Sequence, residues 1–183
     1  MIVSSAGSAA QLARRFDPPA SAAVPGPHLG LRWRTLAADD GADVAALWDR
    51  SDAVDSRGTR TTRADVDRLL SAAADAGDTL GGFDADGILR AAAALVLTLQ
   101  GDGAEVRLRA TIDPGRRGLG IGKALLGWQD DRARQLLADA APAGPARIVI
   151  EVDPHQSDRR RLCAAAGFAP EPGAPGRTFA VVL

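Results

Sequence analysis

The sequence contains no tyrosine, a single cysteine, one methionine and two histidines in 183 residues. A lone cysteine excludes an internal disulfide and multi-cysteine metal clusters, and it suits a reducing compartment. A cytoplasmic location and no metal are therefore expected. Charge of one sign is lacking too: 22 basic residues stand against 23 acidic ones, which leaves no electrostatic footprint for nucleic acid or an anionic membrane. There is no apolar run of about 18 residues, so no transmembrane helix is expected, and the N-terminal apolar block is too short for a signal peptide. No internal repeat and no long linker divide the chain. Its length suits a single substantial core.

Residues 1–28 are rich in Ala, Ser, Pro and Gly and read as a mobile arm or a misassigned start, leaving 29–183 as the folded domain. Leu31 to Leu36 forms a first strand, and Asp39 or Asp40 caps a helix through Val44, Leu47 and Trp48. A polar loop is expected from Ser51 to Arg60, then a helix after Thr62 carrying Val66, Leu69 and Leu70. Strands follow at Thr79–Phe83 and Ile88–Leu99 around the turn Asp84-Ala85-Asp86-Gly87. Ala91–Leu99 reads as a central strand or, alternatively, a short buried helix. Thr178–Leu183 makes a last strand, and Trp33, Trp48 and Trp128 are read as core or edge packing.

The most informative segment is Arg116-Arg117-Gly118-Leu119-Gly120-Ile121-Gly122-Lys123. Before it, Val106, Leu108, Ala110 and Ile112 alternate with Glu105, Arg107, Arg109, Thr111 and Asp113, the period of a strand with two chemically different faces. After it, Ile121, Leu125, Trp128 and Leu136 recur at helical spacing, interrupted by Arg132. Glycines at 118, 120 and 122 let successive N–H groups point outward at the positive end of that helix, where a pyrophosphate can sit. The Walker pattern fails, because Arg117 replaces its first glycine and Ala124 its hydroxyl residue. The dinucleotide fingerprint fails as well, meeting Lys123 or Leu125 at its last position.

What fits is R-x-x-G-x-G, as Arg117, Gly120 and Gly122, and here the chain resembles the GNAT superfamily of acyl-CoA-dependent N-acetyltransferases. About forty residues on, Arg147–Asp153 reads as a buried strand, Ser157 as an N-cap, and Leu162-Cys163-Ala164-Ala165-Ala166-Gly167-Phe168 matches the order and spacing of that family's L-Y-E-x-x-G-F. Cys163 replaces the tyrosine that commonly protonates the departing thiolate. The resemblance covers roughly residues 30–183, its motifs lying in 105–126 and 156–168. It implies an α/β (α+β) GNAT fold: a mixed central sheet with a splayed parallel strand pair and helices on both faces. It also implies acetyl-CoA as co-substrate and a small-molecule or peptide amine as acceptor. A homodimer is possible.

The resemblance further implies that coenzyme A is held at its pyrophosphate by Arg117, Gly118, Leu119, Gly120, Ile121, Gly122 and Lys123. Main-chain groups of Ala110, Thr111 and Ile112 would take the pantetheine, with Gln156 nearby. Glu151 is the preferred base, as a carboxylate emerging from an apolar strand beside the cleft. Asp153 lies nearby, Glu105 reads as an ion pair with Arg107, and Asp113 before Pro114 as a turn former. Cys163 is either a substitute acid or a packed thiol, and His155 is a second candidate acid or base. One of Arg159, Arg160 and Arg161 can reach a coenzyme A phosphate. The segment 51–62, with Asp52, Asp55, Arg57 and Arg60, would form the acceptor wall. Two readings follow: an N-acetyltransferase acting by direct attack, or a binding domain that kept the phosphate loop and lost the acid.

Overall fold

Alternating and helical apolar periods sort the chain into strands β1 (Arg32–Arg34), β2 (Thr79–Phe83), β3 (Leu89–Gln100), β4 (Gly103–Ile112), β5 (Ala146–Glu151), β6 (Ala169–Pro170) and β7 (Thr178–Val182). The helices are α1 (Gly41–Asp55), α2 (Arg63–Ala73), α3 (Ile121–Ala140) and α4 (Ser157–Ala165). The computed structural model describes residues 15–55, 61–73, 77–171 and 178–183. The seven strands form one sheet in the order β1-β2-β3-β4-β5-β7-β6. Among the described strands only β4 and β5 pair in parallel, since α3 carries the chain back from the end of one to the start of the other. Ala91–Leu99 lies within β3, so the strand alternative holds there.

Two apolar layers enclose the sheet. On one face α3 sets Ile121, Leu125, Trp128 and Leu137 against Leu95, Val106, Leu108, Ile148 and Ile150. On the other, α1 and α2 set Val44, Leu47, Trp48, Val66 and Leu70 against Leu36, Phe83, Leu89 and Ala92. Arg132, the break in the α3 stripe, reaches Asp78 at 2.6 Å. Burial pushes the Asp78 carboxyl up despite that partner.

Three expectations are corrected. The expected loop from Ser51 is helix as far as Asp55: Ser51 and Asp52 continue the buried face of Leu47 and Trp48 at helical spacing, and their polarity hides the period. Ser51 Oγ donates to Asp55 Oδ2 (3.3 Å), and Asp52 Oδ2 accepts from the Thr61 amide (3.0 Å). The remainder of that expected loop, 56–60 with Arg57 and Arg60, lies outside the described residues. Ser157 is the first residue of α4 rather than its cap, a position held by Gln156 with no side-chain bond to the helix amides. Residues 15–28, expected within a mobile arm, lie against the domain. Phe16 is fully buried, Arg15 donates to the carbonyls of Pro142, Gly144 and Leu183, and Gln135 holds the Pro19 carbonyl. The first fourteen residues lie outside the described ones.

Candidate functional site

The parallel pairing of β4 with β5 stops at Leu108–Ile150, whereas β4 continues to Ile112 against β3 alone. A gap therefore opens between the two parallel strands. The Asp113 amide bonds to the Arg90 carbonyl at 2.8 Å, which fixes the alternation of the β3–β4 ladder. Residues 109, 111 and 113 turn their main-chain groups toward β3, and Ala110 and Ile112 turn theirs into the gap. A cleft of roughly 560 Å³ occupies it, lined by β4, the turn after it, the first half of α3, the start of α4 and the last turn of α1.

The glycine turn closes one end of that cleft. Gly118 and Gly120 have φ of +76° and +84°, the left-handed region that favours glycine. Ala124 already donates to the Gly120 carbonyl, so the amides of 121, 122 and 123 are the ones without an acceptor one turn back. At Gly122 a Cβ would meet Ile112 Cδ1 and Leu162 Cδ2 at 3.4 Å, so the absence of a side chain lets strand, turn and α4 close together. These amides and the helix dipole make one end of the cleft receptive to an anion.

Asp113 braces the turn. Its Oδ1 accepts the Gly115 amide (3.1 Å), and its Oδ2 accepts Nε of Arg50 and Nη1 of Arg90, both at 3.0 Å. Burial is the largest single influence on this carboxyl and pushes its pKa up. Arg90, the Gly115 amide and Arg50 together outweigh it and hold the carboxyl below the ordinary aspartate value. The turn former expected here is thus also the anchor joining α1, β3 and β4.

The Arg117 side chain turns away from the glycine turn. Its Nη1 meets Asp55 Oδ1 at 2.5 Å and its Nη2 meets Ser51 Oγ at 2.8 Å, while Gln156 Nε2 reaches Asp55 Oδ2 at 2.9 Å. The end of α1 is in this way tied to both sides of the gap. Leu119 and Lys123 are exposed at the turn, and Ile121 is buried beneath it. Arg159 lines the cleft, Arg160 lies 5.8 Å over the Phe179 ring and Arg161 pairs with Asp158.

Cys163 lines the cleft but is 2 % exposed and packed in the α3-side core. Burial pushes its thiol up, against a weaker pull from Arg159. Glu151 does not line the cleft. Ile148 and Ile150 face α3, so Glu151 falls on the opposite face, its side chain 45 % exposed and paired with Arg107 (3.2 Å) and Arg109 (3.4 Å). Glu105 is buried beside them, bonded to Arg107 and Arg147. Burial acts most strongly on it and in the upward direction, but the two guanidinium groups outweigh that and leave its carboxyl low. His155 is exposed at the cleft, its amide bonded to Asp153.

Sequence reasoning placed Ser51 and Asp55 in the acceptor wall but read them as loop, although 48, 51, 52 and 55 follow helical spacing. It missed two side-chain contributors. Gln129 lies on the buried face of α3, lines the cleft and donates to the carbonyls of Arg109 (2.8 Å) and Ala94 (3.2 Å). The Thr111 side chain is the second: the residue is 4 % exposed and lines the cleft, and its Oγ1 has no hydrogen-bond partner among the described residues.

No family model matches the sequence, and no curated protein matches it. Solved structures do. PaiA N-acetyltransferase from Thermoplasma acidophilum, in complex with coenzyme A, is 17 % identical over 82 % of this chain and 96 % of its own, with a TM-score of 0.59. A GNAT superfamily phosphinothricin acetyltransferase from Sinorhizobium meliloti, in complex with AcCoA, is 18 % identical over 84 % and 89 %, with a TM-score of 0.58. Arabidopsis thaliana Naa50, in complex with the bisubstrate analogue CoA-Ac-MVNAL, is 18 % identical over 84 % and 98 %, with a TM-score of 0.59. These likenesses show the fold.

Proposed function

With a GNAT fold as the premise, we propose that the protein is an N-acetyltransferase that binds acetyl-CoA in the β4–β5 gap and passes the acetyl group to a primary amine. The observation that carries this reading is the continuity of the outward-facing amides at the α3 start with the stretch of β4 that β5 leaves unpaired, in one cleft. The coenzyme A complexes of similar folds support it. Pyrophosphate would take the amides of residues 118–123. Pantetheine, which carries two amides, would take the main-chain groups of Ala110 and the Ile112 amide as an added strand, the Ile112 carbonyl already accepting Arg117 Nε at 3.4 Å.

The amine lone pair then attacks the thioester carbon, the C–S bond breaks, and coenzyme A leaves as a thiolate that takes up a proton. Glu151, outside the cleft lining on the α1 side of the sheet and paired with Arg107 and Arg109, is the proposed acceptor of the amine proton, reached only through water. Burial in the α3-side core outweighs the pull of Arg159 and keeps the Cys163 thiol protonated, so we assign it to packing. Cys163→Ala is expected to cost about 1 kcal/mol of stability and to keep turnover within about threefold of wild type. A correctly folded variant whose turnover falls by orders of magnitude would make the thiol the acid.

The test of the main reading has two parts. Calorimetry should show coenzyme A and acetyl-CoA binding, and thiol release should appear with at least one member of a panel of primary amines and short peptides. Absence of any coenzyme A binding by folded protein would remove the proposal. Binding without thiol release would select the second reading, a domain that holds acyl-CoA without turnover, which the missing tyrosine favours.

A further inference from the structure

Thr111 sits at a register position where its main chain pairs with β3 and its side chain leaves the sheet on the α1 face, beside Ala92. Its hydroxyl is the orphan described above: buried, on a residue that lines the cleft. Leaving a buried hydroxyl without a partner costs about 1–3 kcal/mol, and valine would fill the same volume on a strand without that cost. The residue therefore reads as a group kept for a ligand.

The candidate ligand groups are distinguished by direction. Pantetheine amides lie in the plane of the sheet, where the main chains of Ala110 and Ile112 already face them. A donor that leaves this plane one residue further along serves a group that must itself leave the plane. In acyl transfer that group is the carbonyl oxygen, which moves out of the thioester plane as its carbon becomes tetrahedral and takes up negative charge.

Resting on the proposed acetyl-CoA chemistry, we propose that the Thr111 hydroxyl donates a hydrogen bond to the acyl oxygen of bound acetyl-CoA, beside the outward-facing Ala110 N–H. No proton is transferred from it: the hydroxyl keeps its hydrogen, polarises the carbonyl, and holds the oxyanion until the C–S bond breaks and the carbonyl re-forms. This gives the chain an electrophile-activating group that does not depend on tyrosine.

Thr111→Val and Thr111→Ser test it with a readout that needs no acceptor. In isotope-edited infrared spectra with carbonyl-labelled acetyl-CoA, wild type and Thr111→Ser should hold the bound carbonyl stretch at lower frequency than Thr111→Val does. The unliganded valine variant should melt at or above the wild-type temperature, because the orphan hydroxyl is gone. With an accepted amine, its kcat should fall about 100- to 1000-fold while KM for acetyl-CoA moves far less. An unchanged carbonyl band in a valine variant that still binds acetyl-CoA would overturn this role and leave the acetyl-CoA reading intact. A valine variant that melts well below wild type would show a structural hydrogen bond instead. Wild-type protein that binds no acetyl-CoA would overturn both.

Discussion

Replacing Gly120 with glutamate is expected to weaken coenzyme A binding by at least about 100-fold, or about 2.7 kcal/mol, while the folded domain persists. Crowding is not the cause, since a Cβ at this position would meet only Leu29 Cδ2 at an ordinary 3.7 Å. Two other effects add. The φ of +84° costs a side-chain-bearing residue about 1–2 kcal/mol, so the turn relaxes away from the geometry that aligns its amides. The new carboxylate then occupies the positive end of α3, where a phosphate would sit. Three variants separate the terms by calorimetry. Gly120→Asn, which tolerates this backbone region, should lose least, Gly120→Ala should lose the conformational part, and Gly120→Glu should lose both. Wild-type affinity in the glutamate variant would move the phosphate site off this turn.

What the sequence made legible follows from where local rules apply. β4 could be read because one of its faces is apolar and the other charged, so alternation marks it directly. The turn and α3 could be read because left-handed positions demand glycine just before an apolar helical stripe. β5 was harder to orient: Ile148, Val149, Ile150 and Val152 are apolar on both faces, so nothing local said that Glu151 would fall away from α3. Only the register against β4 and β7 settles it.

The end of α1 was lost for the opposite reason. Ser51, Asp52 and Asp55 are polar residues on a buried face, satisfied by partners far along the chain, and a local reading of polarity assigns them to a loop. Arg117 shows the same limit: its motif predicted a role for the turn, but its partner Asp55 lies 62 positions away. The Thr111 orphan is invisible to sequence, because a threonine on a strand is ordinary until every neighbour is placed.

Asp113→Ala is expected to cost about 2–4 kcal/mol of stability, because it deletes the acceptor shared by two guanidinium groups and one amide in a nearly closed site. Asp113 is 7 % exposed, and its carboxylate joins α1 through Arg50, β3 through Arg90 and the turn through Gly115. The loss is bounded because both arginines keep other partners, Arg90 on Asp84 at 2.7 Å and Arg50 on the Leu89 carbonyl at 3.0 Å. Asp113→Asn should cost less, since its amide oxygen still accepts one of these bonds. The sign of the pH dependence follows from the lowered native value. The charged form is favoured in the folded state, so the contribution is fully present above the unfolded aspartate value of about 4 and is lost as pH falls through the lower native one. In urea denaturation, the stability gap between wild type and Asp113→Asn should therefore be constant from neutral pH down to about 5 and shrink below about 4. Other low carboxyls, Asp40 and Glu105 among them, bend both curves alike and cancel in the difference. A gap that stays constant through the acid range would mean that the carboxylate's charge contributes nothing to the anchor.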